Sequence, residues 1–272
     1  MNYDWNNKNN VALCYLWIKQ AELWLKETDT CIIFSRDLLP KILLDKMRSS
    51  KTCKFKNTIH NGFDQKINFP AGSFKSRGTN FTYKFFVICS ISFPFIFIDA
   101  DAIIVSDINK IREVHNNQSK PIICIDHEQD EQIKTANYPP FINSGVMLIN
   151  DPQKEIINWN KIYDYGIRHR FMFYFKGSKQ IIPGTDQAIL KSYLDFIQYD
   201  YRHEEIDSSY NPCSFGVEFS KNNNGVWEAY KNNEPMHIVH YWHNHKPWSN
   251  IQCPMFQEVR NDKMFNSYTI ME

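Results

Sequence analysis

Between Phe95 and Val105 the chain reads Phe-Ile-Phe-Ile-Asp-Ala-Asp-Ala-Ile-Ile-Val: an apolar run, two carboxylates one residue apart, and a second apolar run. No other stretch limits the fold as strongly. Short unbroken apolar runs read as buried strands of an α/β sheet, and such sheets place ligands at the carboxyl ends of their strands. Asp99 and Asp101 put two oxygen donors within reach of one hard cation, while the small Ala100 between them lets a ligand lie close. Two carboxylates this near repel unless a divalent ion or a shared proton neutralises them. The triplet therefore suits Mg²⁺ or Mn²⁺ bridging a diphosphate. A strand followed by a capping turn has the same pattern, and the triplet alone does not separate the two readings.

With 272 residues, 43% of them hydrophobic, the chain can bury a large core, and the expectation is one α/β domain over residues 1–272. A formal net charge of +1 without a run of like charges offers no electrostatic footprint for nucleic acid or an anionic membrane. The seven cysteines are scattered and never form a Cys-x-x-Cys pair, which argues for reduced core residues rather than a disulfide framework or a thiolate zinc site. The polar start, Met1 to Lys8, lacks the apolar stretch of a signal peptide, and the longest apolar run, Phe85 to Ile98, is too short to span a bilayer and contains Pro94. A cytoplasmic location without a transmembrane segment is expected. Oligomeric state is not legible.

In chain order, residues 10 to 27 read as a deeply packed helix, apolar on most faces, with Asn10 as N-cap. Cys31 to Phe34 reads as a parallel strand, and Asp37 to Arg48 as a helix with Pro40 in its first turn. Residues 51 to 79 are loop-rich, with short strands at 54–56 and 66–68, and Asn80 to Ser92 is a helix carrying Lys84. Pro121 to Ile125 is a further strand. Phe141 to Ile149 is an apolar segment interrupted by Asn143-Ser144-Gly145, where Gly145 permits close backbone approach and the amide needs partners. A bulge or turn and a ligand contact remain equal readings of that interruption. Asp151-Pro152 opens a structural helix closing at Gly166. Ile181 to Gln187 enters another with Thr185 as N-cap, where Asp186 favours the positive end of the helix dipole. Residues 200 to 235 read as a surface excursion without a motif. Met236 to His240 is a strand, from which Tyr241 to Trp248 turns away.

Four segments, Asp99-Ala-Asp101, Asn143-Ser-Gly145, Asp186-Gln187, and His240 with Lys246-Pro247-Trp248, resemble in order and spacing glycosyltransferase family 8, the glycogenin-like and lipopolysaccharide-galactosyltransferase-like enzymes. The resemblance spans roughly residues 10 to 250 and has Lys84 in register. It implies a GT-A-like α/β domain with a mixed, mainly parallel central sheet. It also implies retaining transfer of a sugar from a nucleotide-diphosphate donor, most simply a UDP-hexose, to a glycan, lipid-linked saccharide or protein acceptor. Metal binding, with Mn²⁺ or Mg²⁺, falls on Asp99, Asp101 and His240. Diphosphate binding falls on Lys246, and donor-sugar contacts on Lys84, Asn143, Ser144, Gly145, Asp186 and Gln187, the last two also being the catalytic candidates. The residue chemistry agrees: carboxylates with one imidazole suit Mn²⁺, and polar groups at a turn and a helix start suit hydroxyls.

Two departures stand out. His243 occupies the position where the family has a glycine three residues after the histidine. The family's first strand, expected before the helix at 10–27, is absent or reduced to Met1 to Asn9, so an incomplete start, a gap beside the strand at 31–34 and weak nucleotide binding are expected. The histidines at 237, 243 and 245 read as rim or surface residues rather than further ligands. Two other classes fit parts of the sequence. A degenerate, non-catalytic sugar-binding module would keep the same fold. A haloacid-dehalogenase-type phosphohydrolase would use Asp99 as nucleophile, but 98 residues precede Asp99, no later strand ends in an acidic pair, and His240 and Lys246 are left without a role.

Overall fold

The computed structural model describes residues 5–35, 38–57, 84, 88, 91–125, 143–150, 158, 161–162, 165, 172–174, 181–183, 190, 193–201, 206–212, 214–241, 246–249 and 253–266. Contacts divide the chain into two compact units, one formed by Met1–Ile59, Asp99–Asn109 and Ser209–Glu272, the other by His60–Ile98 and Lys110–Ser208.

The first unit is built on α1 (Lys8–Trp24). Its N-cap is Asn7, whose side chain accepts from the Asn9 N–H at 2.9 Å, so Asn10 lies inside the helix and is buried. The expected end also moves inward, because Leu25 is already extended. Val11, Ala12, Leu13, Cys14, Leu16 and Ile18 are all essentially inaccessible, as the apolar pattern on most faces requires. Each such Leu or Ile contributes about 1.5–3 kcal/mol of burial. The helix packs on α2 (Lys41–Ser49), on α4 (Pro254–Asn261) and on β4 (Ala102–Ile104). Pro40 stands at the N-cap of α2 instead of in its first turn, since its fixed φ and ψ of 148° are extended and the helix starts at Lys41. A short helix, α5 (Lys263–Asn266), follows α4.

β1 (Cys31–Ser35) pairs in parallel with β2 (Cys53–Asn57), Cys31 opposite Cys53. The Trp5 indole N–H donates to Ser35 Oγ at 3.3 Å, and Trp5 to Asn7 form a turn and bend rather than a strand. β4 pairs antiparallel with β12 (Ile238–His240), and both are fully buried. The strand expected over 236–240 is broken at His237: Met236 closes β11 (Glu234–Met236), the last strand of a meander with β9 (Glu218–Lys221) and β10 (Trp227–Lys231). This meander occupies much of the stretch read as a motif-free excursion. Its turns are made by Asn222, whose side chain accepts from the N–H groups of Asn224 and Val226, with Gly225 at φ +75°, and by Asn232-Asn233, both left-handed as a two-residue hairpin demands.

The second unit carries the antiparallel sheet β3–β6–β5, formed by Phe95–Ile98, Val146–Ile149 and Ile122–Cys124. Ile122, Cys124, Met147 and Ile149 from this sheet bury against Ile88, Ile162, Leu190, Tyr193, Leu194 and Tyr201. The Tyr199 hydroxyl accepts from Ile122 N at 3.3 Å and donates to Ile122 O at 3.2 Å, fastening the edge strand. α3 (Asn109–Asn117) follows Asp107, whose carboxylate accepts from the Asn109 N–H. A hairpin of β7 (Met172–Tyr174) and β8 (Ile181–Pro183) completes the described strands. The strands expected at 31–34, 54–56, 95–98 and 121–125 are present. Among the described pairings β1–β2 is the parallel one and the rest are antiparallel. The strand at 66–68 and the loop at 126–140 lie outside the described residues, as does most of the helix at 151–166.

Candidate metal and diphosphate site

The two apolar runs around Asp99 and Asp101 form two strands. β3 ends at Ile98, a turn follows in which the Ala102 N–H donates to Asp99 O at 3.0 Å, and β4 begins at once. Asp99 and Asp101 lie on this turn. A turn with its own backbone bond closed holds both carboxylates at fixed spacing without a long loop.

His240 reaches them through strand register. It pairs with Ala102, the residue after Asp101, and the ladder continues past the strand end, where the Tyr241 N–H donates to Asp101 O at 2.7 Å. His240 Nε2 stands 3.4 Å from Asp101 Oδ1 and 4.0 Å from Asp99 Oδ2. One ligand atom from each of the three residues lies within 4.8 Å of the others. Two carboxylates and one imidazole at this spacing fit a divalent metal ion.

The ammonium of Lys246 donates to Asp101 Oδ2 and, at 2.9 Å, to the carbonyl oxygen of Tyr241. Burial pushes the Asp101 carboxyl up, but the hydrogen bond and charge of a protonated His240, with those of Lys246, outweigh it and hold the group below the usual carboxylate range. Asp101 is thus an anion in the fold at any ordinary pH, as a metal ligand must be. His237, by contrast, turns its Nδ1 to Asp107 O at 2.8 Å and stacks flat on Tyr210, with ring centroids 4.4 Å apart. It is not part of the cluster that Asp99, Asp101 and His240 form. His243 and His245 lie outside the described residues.

The other expected residues fall in the second unit. Asn143 and Ser144 are buried, and Ser144-Gly145 form a turn leading into β6. Asn143 Oδ1 accepts the Gly145 N–H at 2.6 Å, so the asparagine closes its own turn. Lys84 donates to Ser144 Oγ at 3.1 Å and to Ser144 O at 3.3 Å, and lies over the Phe97 ring. Lys84, Asn143, Ser144 and Gly145 are therefore one local cluster. Asp186 and Gln187 lie outside the described residues.

One residue of the first site had no place in the sequence reading. Asn211 is fully buried and its Oδ1 is 3.0 Å from His240 Nδ1. It falls in the stretch 200–235, where the sequence shows no motif.

No protein-family model matches the chain, and no curated protein matches it. Solved structures do. Over 97% of this chain and 95% of the other, it resembles the galactosyltransferase LgtC in complex with donor and acceptor sugar analogues, with a TM-score of 0.59 at 12% identity. An active-site mutant of LgtC gives the same values. The bifunctional glycosyltransferase WbbM matches over 93% of this chain and 50% of its own length, with a TM-score of 0.53 at 12% identity. The fold is that of the GT-A-like glycosyltransferases, as the sequence resemblance implied. Among the described residues no helix is long and apolar enough to cross a membrane.

Proposed function

We propose that this protein is a metal-dependent glycosyltransferase that moves a hexose from a UDP-sugar to a saccharide, lipid-linked or protein acceptor with retention of configuration, residues 1–272 acting as one catalytic domain. The observation that carries this reading is the meeting of Asp99, Asp101 and His240, from segments far apart in sequence, with Lys246 on the same carboxylate.

Asp99, Asp101 and His240 would hold Mn²⁺ or Mg²⁺, which when bound supplies positive charge to the departing diphosphate. The chain's own contribution is electrostatic and positional. Lys246, set on Asp101, offers its ammonium to the diphosphate as well, a second cation for the charge that develops on the leaving group. In the second unit, Lys84 fixes the Asn143-Ser144-Gly145 turn, and we assign this cluster to the hydroxyls of the donor sugar. Asp186 and Gln187 are assigned to the sugar by the family resemblance alone. In the transfer itself the bond from the anomeric carbon to the diphosphate oxygen breaks and a bond to the acceptor oxygen forms on the same face. The acceptor proton passes to the leaving diphosphate.

The test is turnover of a UDP-hexose panel with Mn²⁺, reading both UDP release and the anomeric configuration of the product by NMR. An α-configured product from an α-linked donor supports the assignment. An inverted product overturns the retaining mechanism, and no turnover with any nucleotide sugar favours a sugar-binding module on the same fold.

A further inference from the structure

We infer that Asn211 is a positioning residue for the metal site: by accepting the Nδ1 proton of His240, its side-chain oxygen makes Nε2, which faces the carboxylates of Asp99 and Asp101, the nitrogen that the neutral ring offers to an ion. The inference rests on the proposal that these three residues hold a divalent ion.

An amide oxygen can only accept, so across the 3.0 Å contact the ring Nδ1 must donate. In a neutral imidazole Nε2 then carries the lone pair, and this is the atom 3.4 Å from Asp101 Oδ1. A lone pair facing carboxylates is unfavourable by itself and useful only to a cation placed between them. The alternative tautomer would turn a proton toward Asp101 and compete with the ion for both groups. A hydrogen bond behind a ligating histidine selects the tautomer, orients the ring and raises its basicity.

The surroundings make this arrangement difficult to substitute. Asn211 is 0% and His240 3% exposed, so no bulk water replaces the acceptor. The backbone on either side is locked to β12: the His240 N–H donates to Pro212 O at 3.0 Å, the Ser214 N–H donates to His240 O at 3.1 Å, and the His237 N–H donates to Ser209 O at 2.9 Å. These bonds set the distance between Asn211 and the ring independently of the side-chain contact, so a change of side chain at 211 need not move the strand.

The experiment is Mn²⁺ titration of the donor-free protein, read by electron paramagnetic resonance of the free ion, on wild type, Asn211→Leu and Asn211→Asp. Folding is checked by circular dichroism and thermal unfolding. Leucine has the same number of side-chain heavy atoms as asparagine but no acceptor, whereas aspartate keeps an oxygen that can only accept. The expected result is a loss of about 10- to 100-fold in Mn²⁺ affinity for Asn211→Leu, with Asn211→Asp within about threefold of wild type or tighter. Equal affinity of the leucine variant and wild type overturns the inference, as does an equal loss in both variants. If Asn211→Leu does not fold, the aspartate variant decides: a tenfold or greater loss there overturns the assignment. Failure of wild type to bind Mn²⁺ overturns instead the metal site on which the inference rests.

Discussion

Lys246 is ion-paired with Asp101 across 145 residues of sequence, on a carboxylate that also faces His240. The lysine thereby neutralises one carboxylate of the proposed metal site, and it would compete with a bound cation for one oxygen. Its two expected effects have opposite sign. Lys246→Met should tighten Mn²⁺ binding without donor by about tenfold, the order expected for removing one nearby positive charge at a partly screened site. The same change should weaken UDP binding and lower kcat. Titration with Mn²⁺ and with UDP checks both, and weaker binding of both ligands would contradict the competition.

Asp101→Asn removes a charge from the ion but almost no volume. Mn²⁺ affinity and turnover should both fall by at least 100-fold while the circular dichroism spectrum is retained. Retained turnover in this variant, or full wild-type turnover in excess chelator, would remove the metal from the account.

The pH dependence of stability follows from the same carboxyl. Its value in the fold lies below the usual range despite burial, because His240 and Lys246 favour the anion. The unfolded state therefore binds the proton first. The contribution is fully present above the ordinary carboxyl value of about 3.9 and is lost as pH falls below it toward the folded value. In metal-free protein the wild-type Tm minus that of Asp101→Asn should shrink between pH 6 and pH 3. A difference that stays level or widens on acidification would contradict the argument.

The turn in the second unit makes a separate prediction. Lys84 donates twice to Ser144, and Asn143 closes the turn through the Gly145 N–H. Lys84→Ala should raise the donor KM several-fold with Tm lowered by no more than a few degrees, since the lost contacts are part-buried and about 1 kcal/mol each. Asn143→Ala, which strips the turn of its acceptor, should lower Tm further. An unchanged donor KM in both variants would remove this cluster from donor binding.

Burial of α1 is tested by stability alone. Leu13 is fully buried in a helix that packs on α2, α4 and β4. Leu13→Ala should cost about 2–5 kcal/mol in denaturant unfolding, and a cost under 1 kcal/mol would show that the helix is not the centre of its unit.

The parts legible in the sequence were those where local pattern and tertiary role coincide. The apolar residues of α1 announced a helix without a wet face, and the apolar runs around Asp99 and Asp101 announced strands. His240 was legible through the family resemblance, whose carboxyl-terminal motif has a histidine ahead of Lys246-Pro247-Trp248. What the sequence concealed depends on pairing between distant segments. The break at His237 follows from Met236 pairing with Ala229 of β10 while Ile238 pairs with Ile104 of β4. The meander of β9 to β11 was hidden because its strands are half-exposed and polar, with little apolar alternation, although the Asn-rich turns at 222–225 and 232–233 did mark its hairpins. Asn211 could not be found from type or spacing, since its role exists only through the ring 29 residues away.

Metal-dependent sugar transfer is tested by UDP release from a UDP-hexose panel by the wild-type protein, with Mn²⁺ and then with excess chelator, beside Asp101→Asn. The expected result is release with at least one donor, its loss in chelator, its return when Mn²⁺ is restored, and near-absence in the variant. Release that is unaffected by chelator and by Asp101→Asn would contradict metal-dependent transfer.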